Sequence, residues 1–129
     1  MAVDPPRPTA IVTGAGAGIG EATARMLHAR GHLVVAADVS PESLAWTHDI
    51  AGITAFVGDV SQEDANAEMV AAALGSHGRL DVLVLNAGIA RRTAWTADDA
   101  VDAFDRIMAV NARGVVLGIR HGAPAIAAS

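Results

Sequence analysis

The chain has 129 residues, 52% hydrophobic and 18% charged, a balance that fits one folded globular domain and excludes a disordered or fibrous chain. Fourteen carboxylates stand against nine basic residues, all arginine, and the net charge of −5 excludes the clustered basic footprint of a nucleic-acid binder. There is no cysteine, hence no disulfide framework and no thiolate metal site, and the apolar runs are too short to span a membrane.

The opening MAVDPPRPTA has three prolines, no periodic pattern and no apolar signal-peptide core, so residues 1–8 are expected to form a flexible leader on a cytoplasmic protein. Order is expected from Thr9, with residues 9–129 forming one domain. Four nearly continuous apolar runs follow: TAIVT (9–13), HLVVAAD (32–38), ITAFVGD (53–59) and LDVLVLN (80–86). Runs of this kind suit strands covered on both faces, and segments of helical character separate them, which predicts βαβ units, a parallel sheet and an α/β fold.

Local signals mark the helix ends. The first helix is expected to turn Ile19, Ala22, Met26 and Leu27 inward. Ser40-Pro41-Glu42 reads as a cap, a first-turn proline and an acid, and Ser61 with Asp64 and Thr96 with Asp99 fit the same pattern of start. Gly31, Gly52 and Gly78 fall where helices must stop, as left-handed terminators would.

The segment IVTGAGAGIGEA, residues 11–22, joins the first strand to the first helix and places four glycines between 14 and 20. Such a turn presents free N–H groups and the positive end of a helix dipole, a natural seat for phosphate. A P-loop would need lysine after the last glycine, and the chain has none. G-x-G-x-x-G would need glycine at Ile19. T-G-x-x-x-G-x-G fits, with Thr13, Gly14, Gly18, Ile19 and Gly20 in place. An ordinary glycine-rich turn would look the same in isolation, but Asp38 ends the second strand, where an acid can bind the ribose hydroxyls of NAD and repel the extra phosphate of NADP. NAD is the expected cofactor.

With Asn86-Ala87-Gly88 closing the fourth strand, Gly58-Asp59-Val60 after the third and Asn111 in MAVNARGVVLG, the chain resembles the N-terminal half of a classical short-chain dehydrogenase/reductase. The resemblance covers nearly all of residues 9–129. It implies a Rossmann-type doubly wound sheet, here incomplete with strand order 3-2-1-4, and an enzyme that interconverts alcohol and carbonyl by hydride transfer to or from NAD. It further implies that Asp59 and Val60 contact the adenine, that Asn86, Ala87 and Gly88 line the cofactor, and that Asn111 holds a water of the proton relay, the one catalytic position present. The family usually has a second asparagine where Leu85 stands.

The family's serine and Tyr-x-x-x-Lys, in which lysine lowers the tyrosine pKa, have no counterpart: the sequence contains neither tyrosine nor lysine, and it stops at Ser129, ahead of the family's fifth strand. Alone it is expected to be inactive. Two readings stay open: the cofactor-binding half of an oxidoreductase for a small alcohol or carbonyl, or a non-catalytic NAD-binding module or pseudoenzyme partner.

The five histidines are scattered without metal-ligand spacing and read as surface or packing residues. Asp98, Asp99, Asp102 and Asp105 read as a solvated helix face, Arg91 and Arg92 as a solvated loop, and Trp95 as packing. With strand 4 at the edge of an incomplete sheet, Val82, Leu83, Val84 and Leu85 are expected to present backbone and apolar side chains to solvent, which predicts self-association. Ala109, Ala112, Gly114 and Val115 resemble the family's subunit-contact helix, so a homo-oligomer is also expected.

Overall fold

The computed structural model describes residues 2–129. Four strands, β1 (Thr9–Thr13), β2 (Leu33–Asp38), β3 (Ile53–Val57) and β4 (Val82–Val84), make one parallel sheet in the order β3-β2-β1-β4. Thr9 lies opposite Leu33, Val34 opposite Ile53, and Ala10 opposite Val82. This is the doubly wound α/β arrangement and the strand order that the sequence predicts. Four α-helices accompany the sheet, α1 (Gly18–Ala29), α2 (Glu63–His77), α3 (Ala100–Met108) and α4 (Gly114–Ala128), with a 3-10 helix at Glu42–Thr47 and a π turn, Ala109–Arg113, between α3 and α4.

Period-two alternation sorts each strand onto two faces. Ile11, Val35, Ala37 and Leu83 pack with Met69, Val70 and Ala73 of α2 and Ala125 and Ile126 of α4. Val12, Val34, Ala36 and Val84 pack on the other side with Ala24 and Leu27 of α1 and with Leu44 and Trp46 of the 3-10 helix. Gly31 and Gly78 have positive φ just past α1 and α2, as expected of terminators; Gly52 has positive φ as well, but the 3-10 helix before it has already ended at Thr47.

Several local expectations are corrected. β1 matches its apolar run, but the other three strands are shorter than theirs: the second starts at Leu33, the third ends at Val57, where the Asp59 carboxylate turns back to accept from the Ser61 N–H, and the fourth spans only Val82–Val84, after which Asn86 is drawn onto Thr13. In α1 the buried residues are Gly20 and Ala24, Leu27 is half-buried, and Ile19 is 78% exposed, with Ala22 and Met26 also outside. The helix is rotated by about one residue because a Cβ on Gly20 would collide with the Gly14 carbonyl, so only glycine can face the loop there. Ser40 does accept from the Ser43 N–H at 3.3 Å, but the turn it opens is a 3-10 helix. Ser61 caps nothing, since α2 starts at Glu63 behind Gln62 and the Ser61 hydroxyl donates to Asp59. The helix expected from Thr96 begins at Ala100.

The edge strand is also better covered than expected. Leu83 and Leu85 lie under α4, where a Cβ on Gly122 or Gly118 would strike them, and Val82 to Leu85 are all half-buried. Gly114 faces inward against Val60, so the exposed apolar residues of this region are instead Val101, Phe104, Met108, Val116 and Ile119. Arg91 is not solvated: its side chain is 6% exposed and binds Asp99 at 2.8 Å and the carbonyls of Thr93 and Ala94, whereas Trp95 is exposed with the Arg91 guanidinium 5.4 Å from its ring. Among the described residues no helix is long and apolar enough to cross a membrane.

Candidate functional site

Parallel strands leave their carboxyl ends on one side of the sheet, and a crevice opens where the strand order reverses, here between β1 and β4. An open cleft of about 110 Å³ lies there, lined by Gly14, Asp38, Val39, Gly58, Asp59, Val60, Ala87, Gly88, Ile89, Arg106 and Val110.

The floor is built by hydrogen bonds between strand ends. The buried Thr13 hydroxyl accepts from the Asn86 N–H at 3.0 Å and the Ala87 N–H at 3.1 Å, and donates to the Val84 carbonyl at 3.4 Å. The Asn86 amide returns the tie, donating to the carbonyls of Thr13 and Gly14 at 3.2 and 3.4 Å. Thr13 and Asn86 therefore sit behind the cleft and hold β1 to the segment after β4. Gly14 must be glycine on two counts: its φ is +66°, and a Cβ would lie 2.9 Å from the Ala87 Cα. Gly18 has φ +56° and opens onto empty space, with the exposed Ile19 beside it at the start of α1.

Asp38 is not a free surface acid. Its Oδ2 accepts from the Gly16 N–H at 2.9 Å and its Oδ1 from the Ser40 N–H at 3.1 Å, so it closes the glycine loop onto β2. Across the cleft, Asp59 Oδ1 accepts from the Ser61 hydroxyl at 2.7 Å and the Ser61 N–H at 2.9 Å, while Oδ2 faces the Arg106 guanidinium at 3.4 Å. The Ser61 hydroxyl hydrogen bond, helped by the Ser61 N–H and by the Arg106 charge, holds the Asp59 carboxyl below its ordinary range.

Asn111 lies in the π turn. Its Oδ1 accepts from the Ile89 N–H at 2.8 Å, and its Nδ2 donates to the Ile89 carbonyl at 2.9 Å, which fixes the chain just after Gly88.

Of the residues singled out from sequence, Gly14, Asp38, Asp59, Val60, Ala87 and Gly88 line one cleft; Thr13, Gly20, Asn86 and Asn111 brace it; Gly18 and Ile19 stay exposed at the head of α1. Sequence reading missed Val39, Ile89, Arg106 and Val110. Arg106 and Val110 stand four residues apart on one helical face ahead of Asn111, a spacing that could have exposed them. The histidines make separate contacts: His28 with the Ala51 carbonyl, His32 with that of Leu27, and His121 with Glu63.

Comparison with known proteins agrees with this geometry. The chain matches the short chain dehydrogenase family over residues 8–129. It is 39% identical over 120 residues to cis-4-hydroxycyclohexanecarboxylate dehydrogenase of Sinomonas cyclohexanicum, covering 87% of this chain and 47% of that protein. It is 40% identical over 126 residues to 2-(R)-hydroxypropyl-CoM dehydrogenase of Xanthobacter autotrophicus, covering 89% and 49%. Among solved structures, 3-ketoacyl-(acyl-carrier-protein) reductase of Brucella melitensis complexed with NADH superposes with a TM-score of 0.85 at 34% identity, over 92% of this chain and 49% of that one. A short-chain dehydrogenase/reductase of Burkholderia phymatum in complex with NAD also gives 0.85, at 32% identity over 93% and 44%. The chain thus spans about half the length of the relatives it matches. The glycine turn, the switch-point cleft and the match across residues 8–129 coincide, and the chain belongs to the short-chain dehydrogenase family.

Proposed function

We propose that this chain is the cofactor-binding half of an NAD-dependent oxidoreductase that interconverts an alcohol and a carbonyl. The observation that carries the reading is the convergence of Gly14 of the glycine loop, Asp38, Asp59, Val60, Ala87 and Gly88 on one cleft at the sheet's switch point. NADH and NAD in the two solved relatives support a nicotinamide dinucleotide.

The residues fit such a group. Gly18 leaves open space at the head of α1, whose first N–H groups have no acceptor within the helix, so Gly14, Gly18, Ile19 and Gly20 would seat the diphosphate. Asp38 Oδ1 and Oδ2 each keep a lone pair for the ribose hydroxyls, and their charge opposes a 2′-phosphate. Asp59 and Val60 would meet the adenine. Thr13, Asn86, Ala87 and Gly88 would shape the floor. When bound, the dinucleotide supplies the hydride acceptor or donor. Asn111 spends one amide N–H and one lone pair on Ile89, leaving the others to hold a water for proton transfer.

Residues 9–129 form the dinucleotide-binding domain in this reading, with residues 1–8 as its leader, in a cytoplasmic enzyme acting on a small molecule. The second reading is a non-catalytic NAD-binding module or pseudoenzyme partner. Turnover by this chain alone is proposed to be negligible, and NADH formation from a panel of alcohols would overturn that. Calorimetric titration tests the binding: NADH should saturate the chain, and NADPH should bind about tenfold more weakly for one unfavourable charge contact. Equal affinities would overturn the NAD assignment, and binding of neither would overturn the dinucleotide reading.

A further inference from the structure

Trp46, in the 3-10 helix after β2, donates its indole N–H to the Ala15 carbonyl at 3.0 Å. Ala15 is fully buried, and its own N–H donates to the Ala37 carbonyl at 2.9 Å. The next N–H, of Gly16, goes to Asp38 Oδ2 at 2.9 Å, and a Cβ on Gly16 would run into Ser43 of the same 3-10 helix. The first part of the glycine loop is thus gripped by β2 and the segment after it, while the N–H groups of Ala17, Gly18 and Ile19 are left for a ligand. The indole is held in turn. The Arg25 guanidinium stands 4.3 Å from its ring centroid, and Arg25 Nε donates to Glu21 at 2.8 Å, so the ring touches α1 as well as the loop that feeds it.

We propose that Trp46 is a positioning residue for diphosphate recognition: by holding the Ala15 carbonyl and stacking under Arg25, it sets the direction in which the loop and α1 present their free N–H groups. This role rests on the dinucleotide reading above and adds to it a residue outside the cleft. Without the indole N–H, the buried Ala15 carbonyl lacks a donor, and the peptides after it lose their fixed orientation.

The test titrates the wild-type chain and Trp46→Phe with ADP, which carries the diphosphate, and with adenosine, which does not. Trp46→Phe keeps an aromatic ring for Arg25 and removes only the donor. Loss of one hydrogen bond should weaken ADP about three- to tenfold and leave adenosine within about twofold. Equal ADP affinity in the two proteins, or equal weakening of ADP and adenosine, would overturn the role. A wild-type chain that binds neither ADP nor NADH would instead overturn the dinucleotide reading, and this role with it. If Trp46→Phe does not fold, hydrogen exchange of the wild-type Trp46 indole N–H decides: coupling is reciprocal, so saturating ADP should slow exchange several-fold and adenosine should not, and no change with ADP would overturn the role.

Discussion

Asn111 and Ile89 hold each other by two hydrogen bonds, with Ile89 donating to Oδ1 at 2.8 Å and Nδ2 donating to the Ile89 carbonyl at 2.9 Å. The pair joins the π turn to the cleft wall after β4. Asn111→Ala should lower stability by about 1 kcal/mol, because the pair is solvent-accessible. Urea denaturation measures the loss, and amide exchange at Ile89 should speed up in the same variant.

Thr13 is the corresponding tie on the floor. Thr13→Val strips two backbone N–H groups, of Asn86 and Ala87, of their acceptor and should cost about 2 kcal/mol or more, with Thr13→Ser recovering most of it. A valine variant as stable as wild type in urea would show that water takes over the tie.

The glycines of the loop should not respond alike. Gly20→Ala puts a Cβ into the Gly14 carbonyl and should cost roughly 1–3 kcal/mol together with dinucleotide affinity. Gly18→Ala meets open space at φ +56° and should cost about 1 kcal/mol from backbone strain alone. Thermal melts of the two variants, followed by NADH titration, separate collision from strain.

Acid should destabilise the chain through Asp59 and Asp81. The Ser61 hydroxyl lowers the first carboxyl and the Arg79 guanidinium the second, both from an ordinary value of 3.8. A carboxyl depressed in the folded state adds stability that is present above its unfolded value and lost as pH falls through the folded one. Denaturation midpoints should therefore hold between pH 7 and 5 and fall below about pH 4, with a shallower fall in Asp59→Asn. An equal slope in that variant would remove Asp59 from the cause.

Self-association is expected at two surfaces. β4 pairs with β1 alone, so its outer edge is open, and Val101, Phe104, Met108, Val116 and Ile119 expose apolar surface on α3 and α4. Sedimentation should show concentration-dependent oligomers of this chain. Phe104→Glu should weaken them, and a strictly monomeric wild type would refute the expectation.

Much of the site was legible in the sequence because it depends on spacing within one turn or at one strand end. The T-G-x-x-x-G-x-G pattern and Asp38 can be placed from spacing along the chain, and Asp59 from the family resemblance. Spacing puts Arg106 on one helical face with Val110, but its partner Asp59 lies 47 residues away, and only the fold brings the two together. The face of α1 was misjudged for a related reason: apolar spacing favoured Ile19 and Met26, whereas contact with the Gly14 carbonyl turned Gly20 inward.

The sequence by itself determined the alternation of apolar runs and helical segments, hence a parallel sheet, and the glycine geometry of its first turn. Burial periodicity and positive-φ positions are local properties, so they can be read locally. Only the tertiary structure decided how the loop is held: by Asp38, by Trp46 on Ala15, and by Thr13 with Asn86, while Asn111 fixes Ile89 beside it. Those ties join side chains to backbone groups brought together by strand order, and a hydrogen bond to a distant backbone atom leaves no periodic mark in the sequence.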